Sequence, residues 1–408
     1  MAAYKGIEYL RRRLAQKRIR VLKRYEYYEM KNMAKDLQIS TPDWLRGWTS
    51  SLGWCAKAAD SLADRLVFRE FREDNFDMNE IFNMNNPDVM VDSAILSALI
   101  ASCSFIYISA DDTGYPRLQV IDGGNATGIM DEITGLLKEG YAVLERDDMQ
   151  RPTLEAYFTA EETITYTKGE ESGRWANQTG HPLLVPIVFR SDAKRPFGHS
   201  RISRACMDLQ EAAIRTIKRS EISAEFYSFP QKYATGLDPD LEKMDKWKAT
   251  MTTMLTFTKD QDGDKPTLGQ FQQASMSPHM DQIRMFAALF GAETGLTLDD
   301  LGFPSENPSS AEAIKASHET LRATARKAQR AFGSGLLNVG YLAACLRDQY
   351  PYQRSQVYLT TAAWEPLFEP DSSMMASIGD GAYKINQVVP NYIDSEAIRD
   401  LTGIRGRA

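Results

Sequence analysis

The sequence predicts an α+β chain of two or three packing units, and three observations carry that reading. Apolar residues recur at spacings of three and four early in the chain and through most of it after residue 200, as on amphipathic helices. Between 103 and 190 the pattern shortens to alternating or continuously apolar runs bounded by turn residues, as in strands. The 408 residues, 43% hydrophobic and 25% charged, supply a substantial core and are ordinary for a soluble globular protein.

Taken in order, residues 4–39 are expected to be helical, with Ile7, Leu10, Leu14, Val21, Tyr25 and Tyr28 as the apolar stripe. Arginines and lysines from Arg11 to Arg24 cover the other faces. The plain reading, a solvated basic face, is preferred to docking on an acidic partner or nucleic acid. A helix over about 51–66 sets Trp54, Ala58, Leu62 and Leu66 on one side, and a strand near 67–71 follows. Residues 79–101 form two helices split by "NNPD". The uncharged run "AILSALIASCSFIYISA" is at the short limit of a membrane span, but its serines and its β-branched second half favour a buried helix running into a buried strand. Six β-like segments continue to residue 190.

After Gly198, Ser200 is expected to cap a long helix over 200–228 that Pro230 closes. A small αβ insertion fills 229–273, and a second helix runs over 278–293 with Pro278 in its first turn. The turn-rich "LGFPSENPSS" leads into a very long helix over 309–346, with Ser309 or Ser310 as cap and Glu312 in the first turn. One strand and two short helices follow residue 356.

A formal charge of −7 argues against tight general binding of nucleic acid, although DNA could pass such a surface without adhering. Cys55, Cys103, Cys206 and Cys345 are scattered in apolar contexts and read as reduced core thiols. The start "MAAYKGIEYLRRRL" has no apolar signal core, so secretion is not expected. His181, His199, His279 and His318 lack metal-type spacing, and no hydrolase or phosphate-loop motif occurs; His199 and His318 read as caps or surface groups. "KDQDGDKPTLGQF" matches the acids of a calcium loop, but Lys265 takes its glycine position and Phe271 its bidentate glutamate position, so it reads as an acidic turn. Asp299, Asp300 and Glu306 are paired carboxylates without an accompanying base or nucleophile.

Several stretches, in one order, resemble a known family. They include "AADSLADRLVFREF", "SALIASCSFIYIS", "FGHSRISRACMDLQEAAIRTIKRSEISAEFYSFPQKYATG", "GLTLDDLGFPSENPSSAEAIKASHETL" and "GDGAYKINQ", spread over about residues 50–400. The sequence resembles the portal proteins of long-tailed double-stranded DNA bacteriophages, especially those infecting actinobacteria. The resemblance implies a phage portal fold that forms a dodecameric ring at one capsid vertex, with a channel for DNA packaging and ejection. It implies an α/β wing over 1–199, stem helices over 200–228 and 274–296, a small α/β clip over 229–273 and a tunnel loop over 297–309. A long wing helix would cover 310–355, and a wing end with a short helical crown 356–408. Asp299, Asp300, Phe303, Pro304, Ser305, Glu306 and Asn307 would line the channel in the tunnel loop. Asp238, Lys243, Lys246, Asp260, Asp262, Asp264 and Lys265 would lie on the clip, where terminase and adaptor dock.

The implied partners are copies of the chain, the large terminase subunit, major capsid protein and scaffold, the head–tail adaptor and the passing duplex, with no membrane. No cofactor and no catalytic residue are implied, since ATP hydrolysis belongs to the separate terminase. The implied place is the virion, and the host cytoplasm during assembly. Two rival readings are a metal-dependent nucleic-acid enzyme using Asp299 and Asp300, and a monomeric virion scaffold or adaptor that binds acidic partners through the basic first helix.

Overall fold

The computed structural model describes residues 4–35, 50–228, 232–235, 267–270, 275–304, 311–368, 370 and 372–404. The chain divides into two compact units, one of Met1–Lys31, Gly53–Met207 and Glu293–Ala408, the other of Asn32–Leu52 and Asp208–Ala292.

The first unit opens with α1 (Ile7–Tyr28), α2 (Trp54–Ala63), β1 (Phe68–Arg72), α3 (Met78–Asn83) and α4 (Pro87–Ala101). Eight strands follow: β2 (Cys103–Ala110), β3 (Pro116–Ile121), β4 (Ala126–Met130), β5 (Leu137–Arg146), β6 (Pro152–Phe158), β7 (Glu162–Thr167), β8 (Glu170–Ala176) and β9 (Leu184–Val188). They make a three-stranded sheet of order β3-β2-β9 and a five-stranded meander, β4 to β8, each with antiparallel pairs. Strand β2 packs against α4 and is buried along most of its length, which is why its sequence is almost continuously apolar. The expected helix running into a strand over 94–110 is therefore found, and no helix among the described residues is long and apolar enough to cross a membrane.

Helix α1 lies on the meander. Leu10 and Leu14 are buried with Tyr141, Val143, Tyr157 and Ile164, each leucine contributing roughly 2 kcal/mol by burial. Two buried carboxylates hold the helix. Glu139 accepts from the backbone N–H groups of Lys5 (2.9 Å) and Gly6 (3.1 Å) and from the Tyr157 hydroxyl (2.9 Å). That puts negative charge at the positive end of the helix dipole, where the Gly6 cap has no side chain to offer. Glu155 accepts both arms of the Arg11 guanidinium, at 3.1 and 2.9 Å, and the Tyr141 hydroxyl. Both carboxylates are thus satisfied by several donors, which makes their burial tolerable.

The helix stops at Tyr28 rather than 39. Met30 takes φ 57°, and the Lys31 N–H turns back to the Glu26 carbonyl at 2.8 Å, a left-handed C-terminal cap made without glycine. Residues 36–39 of that expectation lie outside the described ones.

The second unit contains most of α5 (Arg204–Ser228) and of α6 (Ser277–Thr294), with a two-stranded ladder of β10 (Lys232–Thr235) and β11 (Thr267–Gln270). Thr216 donates to Gln282 at 3.1 Å, and Ser223 lies 3.3 Å from the His279 ring nitrogen. The pairing 216 with 282 and 223 with 279 makes α5 and α6 antiparallel neighbours. Residues 236–266 of the expected αβ insertion lie outside the described residues.

The chain returns to the first unit through α7 (Ala311–Ser317), α8 (Glu319–Arg347), β12 (Thr361–Trp364), α9 (Ser372–Val388) and α10 (Ser395–Thr402). The single long helix expected over 309–346 is interrupted at His318, whose ψ of 5° leaves the helical region. Ser309 and Ser310 lie outside the described residues. Strand β12 pairs antiparallel with β1, so the late chain closes onto the early one, with Phe68 and Trp364 edge to face at 5.7 Å.

Candidate functional site

The junction between α6 and the returning helices begins as a defined turn. Gly295, at φ 73°, ends the helix, and Leu296 and Leu301 are buried. Between them the Asp300 carboxylate accepts from the Thr297 N–H and hydroxyl, both at 2.9 Å, while the Thr297 hydroxyl accepts from the Asp300 N–H at 3.2 Å. His318 Nδ1 stands 3.7 Å from the same carboxylate oxygen. The Phe303 N–H closes the turn on the Leu298 carbonyl at 2.9 Å, and Pro304 is exposed.

Of the seven residues expected on this loop, Asp299, Asp300, Phe303 and Pro304 are described and are neighbours on the turn, whereas Ser305, Glu306 and Asn307 lie outside. Asp300 is tied to its own turn. Asp299 is the more exposed of the two aspartates. All seven expected clip residues, Asp238, Lys243, Lys246, Asp260, Asp262, Asp264 and Lys265, lie outside the described residues.

The segment "GHSRIS" (198–203) anchors the two ends of the helical excursion. Ser200 does not cap α5. Its hydroxyl donates to the carbonyls of Ile100 (2.6 Å) and Leu99 (3.3 Å), and the Arg201 N–H also reaches Leu99, at 2.8 Å. These donors satisfy the C-terminal carbonyls of α4. The α5 cap is Ser203, whose hydroxyl accepts from the Cys206 N–H at 3.2 Å. The helix starts four residues after Ser200 because the Ser200 hydroxyl and the Arg201 N–H are engaged by the end of α4.

Arg201 is 6% exposed. Its guanidinium donates to the Ala58 carbonyl at 3.2 Å and to the Thr294 carbonyl at the end of α6. It ties α2, the entry to α5 and the exit of α6 into one cluster. Burial pushes its pKa down to about 10, so it stays charged at neutral pH. Sequence reasoning did not single it out.

The four histidines each serve local structure. His199 pairs with Asp192 at 2.6 Å, His279 meets Ser223, His318 faces Asp300, and His181 is half-buried with its pKa lowered by burial. All four cysteines are buried free thiols. Among the described residues no three His, Cys, Asp or Glu side chains gather as a metal site.

Comparison with known proteins adds a second line. The family model described as "Phage portal protein, SPP1 Gp6-like" matches residues 7–366. The portal protein of Mycobacterium phage D29 is 23% identical over 335 residues, covering 75% of this chain and 67% of that protein. That of Mycobacterium phage L5 is 24% identical over the same shares. Among solved structures, a chain from the virion of a native gene transfer agent particle is 12% identical with a TM-score of 0.43, over 96% of this chain and 99% of that one. A chain from the neck of that particle, computed with C12 symmetry, is 13% identical with a TM-score of 0.47, over 90% of this chain and 93% of that one.

Proposed function

The chain belongs to the phage portal protein family, and from that premise we propose that its copies close a dodecameric ring at one capsid vertex. DNA enters and leaves through the central channel of this head–tail connector. The observation that carries the reading is the family match over 7–366, nearly the whole chain. The antiparallel pair α5 and α6, joined through a small antiparallel ladder and followed by a proline-stiffened loop, supports it.

In this reading α5 and α6 are the stem helices, 229–273 is the clip that docks the large terminase subunit and later the head–tail adaptor, and 297–309 is the tunnel loop. The wing is 1–199 with 310–355, which carries α7 and α8, and 356–408 finishes the wing and forms a short helical crown. Asp299, with Phe303, Pro304, Ser305, Glu306 and Asn307, faces the DNA. Asp300 shapes the loop from within its turn and leaves the acidic surface to its neighbours. Acidic rings repel phosphates and keep the duplex from adhering. The protein works in the virion, after assembly in the host cytoplasm with capsid and scaffold proteins, and has no catalytic role.

The test is the native mass of the purified chain with electron micrographs of the same sample. Rings of about twelve subunits with a central hole are expected from the symmetry of such assemblies. A monomer that cleaves DNA with a divalent metal, and loses that activity on Asp299→Asn with Asp300→Asn, would overturn the reading.

A further inference from the structure

A cleft of about 650 Å³ opens in the first unit between α1, the end of α4 and the loop 192–198. Helix α1 lines it with Arg12, Arg13, Lys17, Arg20 and Arg24, and the loop adds Lys194 and Arg195. Among the described residues no carboxylate lines it, on a chain whose overall charge is −7. We propose that this cleft is a binding site for adjacent phosphate groups of a polyanion. The inference stands on the first unit alone and does not rest on the ring.

Lys17 and Arg24, two of the seven cations, are bonded to the floor of the cleft. Lys17 Nζ contacts the Cys103 sulfur at 3.1 Å and the Ala126 carbonyl at 3.3 Å, and lies 4.9 Å from the Phe105 ring centre. Arg24 donates to the Ala101 carbonyl at 3.1 Å, offsetting the negative end of α4 at the cleft floor. The other five have no ion-pair partner among the described residues. Asp192 on the same loop is already engaged: it accepts from the Lys194 and Arg195 N–H groups at 2.8 and 2.7 Å and pairs with His199. Like charges crowd here, and burial with the neighbouring Arg20 and Arg195 lowers the pKa of Arg24. An anion relieves that repulsion, and a concave wall of one sign concentrates its field.

The loop is held in shape before any ligand arrives. Gly198 has φ 71°, and a Cβ there would stand 2.0 Å from the Phe189 carbonyl oxygen, so only glycine fits. Arg13 lies over the Phe197 ring at 5.4 Å, which fixes its planar fork. Forked donors at close spacing suit phosphates. The walls are cationic rather than apolar, which disfavours a docked peptide, since peptide recognition needs hydrophobic pockets or a free strand edge. The phosphates belong either to a nucleic-acid backbone or to a free polyphosphate.

The test uses the full chain and three probes: a labelled 20-base-pair duplex of arbitrary sequence (roughly two helical turns), inorganic tripolyphosphate and a polyglutamate peptide of matched charge. Arg20→Glu with Lys194→Glu alters two exposed residues without a carboxylate partner among the described residues, and the neutral pair Arg20→Gln with Lys194→Gln guards against misfolding. Either pair should weaken phosphate binding about tenfold or more and flatten its salt dependence by about one unit of slope per lost contact. Lys327→Glu, exposed on α8, should leave it unchanged. Binding of the duplex with competition by tripolyphosphate assigns the site to a nucleic-acid backbone, and binding of tripolyphosphate alone assigns it to a free polyphosphate. Binding of neither, an equal loss with Lys327→Glu, or polyglutamate binding as tightly as phosphate overturns the proposal.

Discussion

Arg201 shows what one side chain holds in this protein. Its buried guanidinium supplies donors to carbonyls of two helices. Arg201→Ala removes both donors and leaves a cavity, an expected loss of about 3 kcal/mol in urea unfolding. Arg201→Lys keeps the charge but not the fork, and should recover only part of it. Asp111 makes a pH-dependent case at the surface. It accepts from the Thr113 hydroxyl (2.6 Å) and from the Thr113 and Tyr115 N–H groups, both at 2.9 Å, in the turn between β2 and β3. The Thr113 hydroxyl leads the causes that hold its pKa at about 2, below the ordinary 3.8. A depressed carboxylate stabilises the fold fully above 3.8, and the contribution is lost as pH falls toward 2. Melts of wild type and Asp111→Asn should therefore differ at pH 5 and converge near pH 2. At this scale little was legible beforehand. Ser200 and Ser203 look alike as caps, and only the placement of α4 decides between them.

Elements were far more legible, because period and turn chemistry are local. The split at "NNPD", the passage from α4 into β2 and the start of α6 at Ser277 all stand where apolar spacing and proline put them. Two of the misplaced helix boundaries share a cause. Met30 and His318 stop helices through backbone conformations that their side chains do not announce, so continuous amphipathic patterns ran past both. The close approach of α8 to β9 was not legible either. A Cβ on Gly335 would stand 2.9 Å from the Ile187 terminal methyl. Gly335→Ala gains about 1 kcal/mol of helix propensity against a contact that one methyl can relieve, so its unfolding midpoint should move little. Gly335→Leu has no such escape and should cost about 2–3 kcal/mol in the same measurement. The basic stripe of α1 was legible as charge but not as a wall, because Lys194 and Arg195 meet it only in the fold.

At the scale of the whole molecule, α9 is an amphipathic helix without a full partner among the described residues. Ala382 is its one buried residue, while Tyr383 is 65% and Val388 81% exposed. Nearby Tyr392 is 72% exposed. Apolar side chains grouped on one exposed helix are covered in many assemblies, and in a ring each copy has two neighbours to cover them. Tyr383→Glu with Val388→Glu should leave the melting temperature of the monomer within about a degree, since exposed positions away from the core change stability little. The same pair should shift the native mass from rings toward monomers, because each interface would bury charges without partners, and the symmetry repeats that penalty at every contact. Rings at wild-type yield would remove α9 from the subunit interface and leave the ring to other surfaces. Loss of rings with an unchanged melting temperature would separate assembly from folding, as a connector built from independently folded copies requires.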